Sequence, residues 1–261
     1  MNEQEHMNLF FEIFDRSLPR LGPGDDASTR QAISIALSAI SHCGDSSSST
    51  KLRILDLGCG NGAQTIQLAK HTDGSILAVD NHQPYLDELW LRAEAEGVSE
   101  KIQVHLGDMA QLGLDEKSFD LIWSEGALYT IGFRNGLTSC HRLLTPGGVL
   151  GVTELCWLKS NPPDECQGFF ANEYPPMADV DTNLAAIKDC RYKVLRHFAL
   201  PESAWWEPYY RALEDRLRLF REKHAAAPEK LEVIESVQVE IDIYRKYSSY
   251  YGYVFYLMQR Q

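Results

Sequence analysis

The stretch Leu52-Arg53-Ile54-Leu55-Asp56-Leu57-Gly58-Cys59-Gly60-Asn61-Gly62 constrains the fold of this chain more than any other. It reads as a short buried strand that stops in three glycines, with an amphipathic helix opening behind them over residues 63–70. Glycines lack a Cβ, so the backbone turns tightly and a ligand can reach its amides. The helix start adds N–H groups with no partner inside the helix. Strand, glycine loop and helix in this order are how an open α/β sheet holds a nucleotide-like cofactor.

The pattern downstream agrees. Strands are expected over 52–57, 75–79 (ending in Asp80), 102–106 (ending in Gly107-Asp108), 119–123 and 149–154. Helices over 84–96 and 135–144 alternate with them, and Thr145-Pro146-Gly147-Gly148 reads as a turn. Alternation of this kind implies a parallel sheet with helices on both faces. Ahead of it, residues 8–14 and a segment from Ser28 or Thr29 to about His42 read as helices, followed by a polar linker over 44–50. Residues 1–50 thus form an N-terminal helical arm or cap, and 51–261 the main domain. Cap insertions are expected near 156–180, with at most a short helix, and near 203–248, with long helices over 205–224 and 228–247. Between and after them come a helix over 182–189, a strand over 192–198 and a last strand over 250–258, antiparallel to its predecessor.

A formal net charge of -12 over 261 residues repels phosphate backbones, so no extended nucleic-acid contact is expected. The six cysteines, Cys43, Cys59, Cys140, Cys156, Cys166 and Cys190, contain no C-x-x-C pair and suggest neither zinc site nor disulfide framework. A reducing cytoplasm is the simplest home. No signal peptide is visible, and no apolar run approaches the roughly 20 residues of a membrane span. No metal is expected.

Gly58-x-Gly60-x-Gly62-Ala63 alone fits both a dinucleotide fingerprint and an S-adenosylmethionine loop. Three acids at strand ends narrow the choice. Asp56 can face a ligand ammonium or organise the loop. Asp80 can accept both hydroxyls of a ribose. Asp108 can accept from an adenine amino group, with Met109 against the ring. The competing reading of each is a helix cap.

With these residues the chain resembles the class I S-adenosylmethionine-dependent methyltransferases of the type 11 group. The resemblance rests on residues 56–62, Asp80, Gly107-Asp108-Met109, the run from Phe119 to Gly126, and the run from Leu143 to Gly148. It implies a Rossmann-like fold, a seven-stranded mostly parallel sheet whose last strand is antiparallel, with a helical cap. It also implies S-adenosylmethionine as cofactor, held by Asp56, Gly58, Gly60, Asn61, Gly62, Asp80, Asn81, Asp108 and Met109, with Ser124 and Glu125 near the methyl donor. Leu18-Pro19-Arg20-x-Gly22-Pro23-Gly24, the run from Glu125 to Phe133, and Pro201-x-x-x-Trp205-Trp206-x-x-Tyr209-Tyr210 resemble a bacterial and archaeal subgroup of unassigned substrate.

A sulfonium methyl group is already activated, so transfer needs alignment and exclusion of water more than a dedicated nucleophile. Glu125 and Tyr129 are the catalytic candidates, on the loop after the fourth strand. Glu154 points to the same region, whereas His141 lies in a helix expected to pack on the sheet. Arg20, Tyr129, Trp157, Tyr174, Trp205 and Tyr209 are candidates to wall an acceptor pocket for a flat, apolar or cationic small molecule. The same aromatic residues equally suit a cap core or a dimer contact, which leaves a homodimer open. The expected activity is methyl transfer to a small-molecule acceptor. Its rivals are an NAD-dependent oxidoreductase, against which Gly107-Asp108 and Pro146-Gly147-Gly148 speak, and a non-catalytic binding protein on the same scaffold.

Overall fold

The computed structural model describes residues 1–41 and 51–261. The expected linker over 44–50, with His42 and Cys43, lies outside the described residues.

The sheet begins with β1 (Leu52–Leu57), β2 (Gly74–Asp80), β3 (Ile102–Leu106), β4 (Phe119–Ser124) and β5 (Leu144–Trp157), all parallel in the order β3-β2-β1-β4-β5. β8 (Tyr251–Arg260) then runs antiparallel between β5 and β7 (Tyr192–Ala199). A two-residue strand, β6 (Ala178–Asp179), pairs with the end of β5 and makes eight strands where seven were expected. Strand order reverses between β1 and β4, which leaves a crevice at their carboxyl ends.

Two apolar layers cover the sheet. On one face lie α2 (Asp26–Ser41), α3 (Ala63–His71) and α4 (Gln83–Ala95), packed through Ala32, Ile33, Leu68 and Leu89 onto Ile54, Ile76 and Trp123. On the other lie α5 (Phe133–Leu143) and α7 (Val180–Asp189), packed through Leu137, Cys140 and Ile187 onto Leu55, Ile122 and Tyr256. A third cluster forms the cap: α1 (Glu3–Ile13), α6 (Asp164–Glu173), α8 (Ser203–Trp205), α9 (Arg211–Lys223) and α10 (Pro228–Tyr247) share Ile13, Phe170, Trp205, Leu213, Leu217 and Ile241. The expected N-terminal arm therefore divides, with α1 in the cap and α2 in a layer of the main sheet. Among the described residues no helix is long and apolar enough to cross a membrane.

Several boundaries differ from expectation for local reasons. α1 starts at Glu3 because Asn2 and Glu5 form a reciprocal capping box. α2 starts at Asp26, ahead of Ser28 and Thr29, because the Asp25 carboxylate accepts from the Ser28 N–H at 2.6 Å. The expected turn at 145–148 is drawn into β5, which reaches back to Leu144. The expected helix over 205–224 changes register at Trp206–Tyr210, a π-helical turn containing Pro208, which has no N–H to donate. The insertion near 156–180 carries the ten-residue α6 as well as β6.

Candidate functional site

A cavity of about 360 Å³ opens over the carboxyl ends of β1 to β4, at the reversal of strand order. Its floor is the glycine loop. Gly58 and Cys59 donate their N–H groups to the Val79 carbonyl, each at 2.9 Å, which binds the loop to β2. At Gly58 φ is +68°, and a Cβ there would stand 2.2 Å from the Ala127 side chain, which packs directly on the loop. Gly62 opens α3 in the left-handed region, at φ +87°, and a Cβ would meet Leu89 at 2.3 Å. Both positions need glycine for conformation and for space.

The three strand-end acids differ in role. Asp80 lines the cavity and grips the loop: one carboxylate oxygen accepts from the Gly60 N–H at 2.9 Å, the other from the His82 N–H at 3.0 Å. Burial raises its pKa against these lowering bonds. Asn81 lies beside it in the wall, and Asp108 and Met109 form the far end. Asp108 accepts from the Ala110 N–H at 2.8 Å.

Asp56, in contrast, is fully buried and does not line the cavity. Its carboxylate accepts from the Thr65 hydroxyl at 2.6 Å and from Gln64 at 3.5 Å, so of its two expected roles only organisation of the loop and α3 is met. Burial pushes its pKa up to about 7. The folded protein therefore holds this proton more tightly than the unfolded chain, whose aspartate titrates near 4. The associated stability is present below about pH 4 and lost as pH rises through 7, a loss on the order of 2–4 kcal/mol. In urea unfolding at pH 4.5 and 8, Asp56→Asn is expected to shrink the difference in stability; an unchanged difference would refute this assignment.

Ser124 is also buried below the cavity, where its hydroxyl donates to the Leu57 carbonyl at 2.9 Å, and it does not reach the wall. Asn61 is at the wall, but its amide is turned to the N-terminal segment and donates to the carbonyls of Arg16 (3.1 Å) and Leu18 (2.7 Å). Arg92 of α4 donates to the carbonyls of Arg16, Leu18 and Pro19, and the Tyr85 hydroxyl to that of Phe14. These bonds strap residues 14–19 across the site. Phe10, Phe11 and Leu21 of the same arm join the cavity wall, with Phe11 stacked on His82 at 3.7 Å.

Arg20 and Glu125 form the charged centre. Arg20 donates to Glu125 at 3.1 Å and to Asp26 at 3.0 Å, and the side chains of Arg20 and Glu125 are only 7% and 5% exposed. Glu125 also accepts from the Thr29 hydroxyl at 2.8 Å and the Trp123 indole N–H at 2.9 Å. These three donors join Arg20 and Thr29 of the N-terminal arm to Trp123 of β4 through the Glu125 carboxylate. Asp26 and Trp123 were not singled out as site residues from the sequence, and Thr29 only as a helix start; for Asp26 the available signal was the need of a nearby arginine for an acidic acceptor, and for Trp123 there was none.

Tyr129 stands exposed at the cavity edge, its ring edge-to-face with Tyr174 at 5.7 Å. The Tyr174 hydroxyl donates to buried Glu154. The other expected pocket aromatics are elsewhere. Trp205 is stacked on Tyr244 at 4.1 Å, Trp157 packs edge-on to Phe170 at 5.5 Å, and Tyr209 is buried beside Tyr210. They belong to the cap core and do not line the cavity. His141 is remote from it, packed against Tyr192 at 5.2 Å. Among the described residues no group of three or more His, Cys, Asp or Glu is placed to hold a metal ion.

Comparison with known proteins follows the same lines. Residues 54–148 match the family described as a methyltransferase domain. A sterol 24-C-methyltransferase of Gibberella zeae is 28% identical over 177 residues, 64% of this chain and 46% of that protein. One from Aspergillus fumigatus is 26% identical over 68% of this chain and 48% of its own length. The chain thus spans about half the length of the curated relatives it matches. A Geobacter sulfurreducens S-adenosylmethionine-dependent methyltransferase, solved with S-adenosyl-L-homocysteine, superposes with a TM-score of 0.79 at 21% identity, covering 97% of this chain and 98% of that one. The fold is that of the class I methyltransferases.

Proposed function

We propose, on the premise that residues 54–148 form a methyltransferase domain, that this protein transfers a methyl group from S-adenosylmethionine to a small-molecule acceptor. The observation that carries the reading is Asp80: an acid at the end of β2, in the wall of a cavity at the strand-order reversal, already joined to the glycine loop. The cavity suits such a ligand in size, and at Gly58 and Gly60 the space a side chain would fill is taken by Ala127 and Leu21.

In this reading Asp80 accepts the ribose hydroxyls, Asp108 and Met109 flank the adenine, and Gly58, Gly60 and Asn81 present the floor. When bound, S-adenosylmethionine supplies an activated sulfonium methyl group. The chain's own residues then hold both partners in line and keep water out, an alignment worth on the order of 7–11 kcal/mol. Phe10, Phe11 and Leu21 provide the cover, and Arg20 with Glu125 fixes the wall near the loop after β4. Tyr129 is the pocket residue best placed to touch an acceptor. The net charge of -12 favours a small molecule over nucleic acid, and we place the protein in the cytoplasm.

Titration with S-adenosylmethionine tests the proposal. Saturable binding with S-adenosylhomocysteine as competitor is expected. No binding, or enhanced NADH fluorescence on mixing, would remove it and favour the oxidoreductase.

A further inference from the structure

Behind Tyr129 the structure holds a second polar feature that cofactor binding does not use. Glu154 of β5 is buried to 3% exposure. One carboxylate oxygen accepts from the Tyr174 hydroxyl, and the other, fully buried, has no hydrogen-bond partner. A buried carboxylate oxygen left unmatched costs free energy unless something fills its place.

The surroundings say what would fit. Tyr174 meets Tyr129 edge-to-face, and Tyr129 lines the cavity, so Glu154 stands two side chains behind the opening, reached by displacing these rings. Tyr253 of β8 backs the same loop, its hydroxyl 3.7 Å from where a Cβ on Gly126 would stand. Glu240 of α10 accepts from Tyr210 at 2.9 Å; burial raises the Tyr129 pKa, and the negative charges of Glu240 and Glu154 add to that rise. Among the described residues no Lys, Arg or His pairs with Glu154 or Glu240. The nearby cation of the cavity, Arg20, is committed to Glu125 and Asp26.

We propose that Glu154, with the rings of Tyr129, Tyr174 and Tyr253, receives the amine or ammonium head of the methyl acceptor. This rests on the methyltransferase reading above and adds the class of substrate. Burial pushes the Glu154 pKa up to about 7, so a cation held beside it favours the ionised carboxylate and supplies the charge partner it lacks, and aromatic faces add to its binding. A neutral hydroxyl would offer that oxygen a hydrogen bond and no charge. A carboxylate or phosphate would be repelled by both acids.

Calorimetric titration of the protein loaded with S-adenosylhomocysteine tests this, using choline and its neutral isostere in which a tert-butyl group replaces trimethylammonium. Choline is expected to bind about tenfold or more tightly than the isostere. Glu154→Gln should remove that preference while S-adenosylhomocysteine affinity stays within about twofold. Tyr129→Ala, an exposed position with little bearing on folding, should weaken choline several-fold. Equal binding of the two probes, no choline binding to the loaded protein, or a preference untouched by both substitutions overturns the proposal. Failure to bind S-adenosylhomocysteine at all would instead overturn the cofactor reading.

Discussion

Asp80→Ala is expected to weaken S-adenosylmethionine binding by a factor on the order of 100–1000. Two effects combine. In our reading the carboxylate takes both ribose hydroxyls, and a hydrogen bond to a charged group contributes about 1.5–3 kcal/mol. The same carboxylate holds the Gly60 N–H at 2.9 Å, so its removal also loosens the loop beneath the ligand. Asp80→Asn keeps an oxygen for one of these duties and should fall between wild type and alanine. The cost should appear in affinity rather than in folding, because burial already raises this pKa and the charge is held against a desolvation penalty. Calorimetry of the three proteins, beside their thermal midpoints, separates the two. Affinity in the alanine variant equal to wild type would remove Asp80 from the site.

The second large effect is expected at Arg20. Arg20→Met leaves Glu125 buried and without its cation, and breaking such a pair from one side costs about 3–5 kcal/mol. For a chain of this size that is a fall in thermal midpoint on the order of 10 °C. The double variant Arg20→Met with Glu125→Gln should regain most of the loss, because no charge is then stranded and the amide oxygen can still accept from Thr29 and Trp123. If the two substitutions simply add, the pair is not the coupled unit described here.

These two residues mark what the sequence reveals and what it hides. The glycine loop, Asp80, Asp108 and the strand alternation are legible because each depends on neighbours within a few positions, where period and turn chemistry speak directly. Asp56 stands at a strand end like Asp80, but it lies before the glycines and below the loop, where Thr65 of the following helix claims it. The partner of Glu125 lies 105 positions away, and nothing local announces it. Large aromatic residues are wanted equally by a pocket wall and by the interior of a cap. Trp157 went to the interior against Phe170 of α6 and Tyr251 of β8, Trp205 against Tyr244 of α10, and Tyr209 beside Tyr210; Tyr129 kept a face to the opening, with Tyr174 behind it.

The strap across residues 14–19 is gripped through its peptide oxygens. Arg92, Asn61 and Tyr85 seize carbonyls, and every amino acid offers one. Apart from Phe14 and Leu18, whose side chains are buried in the cap, the letters of that segment can vary while its course stays fixed, whereas exchange of Arg92 would release several attachments at a stroke. Evolution can redecorate this rim for new chemistry without rebuilding its mooring.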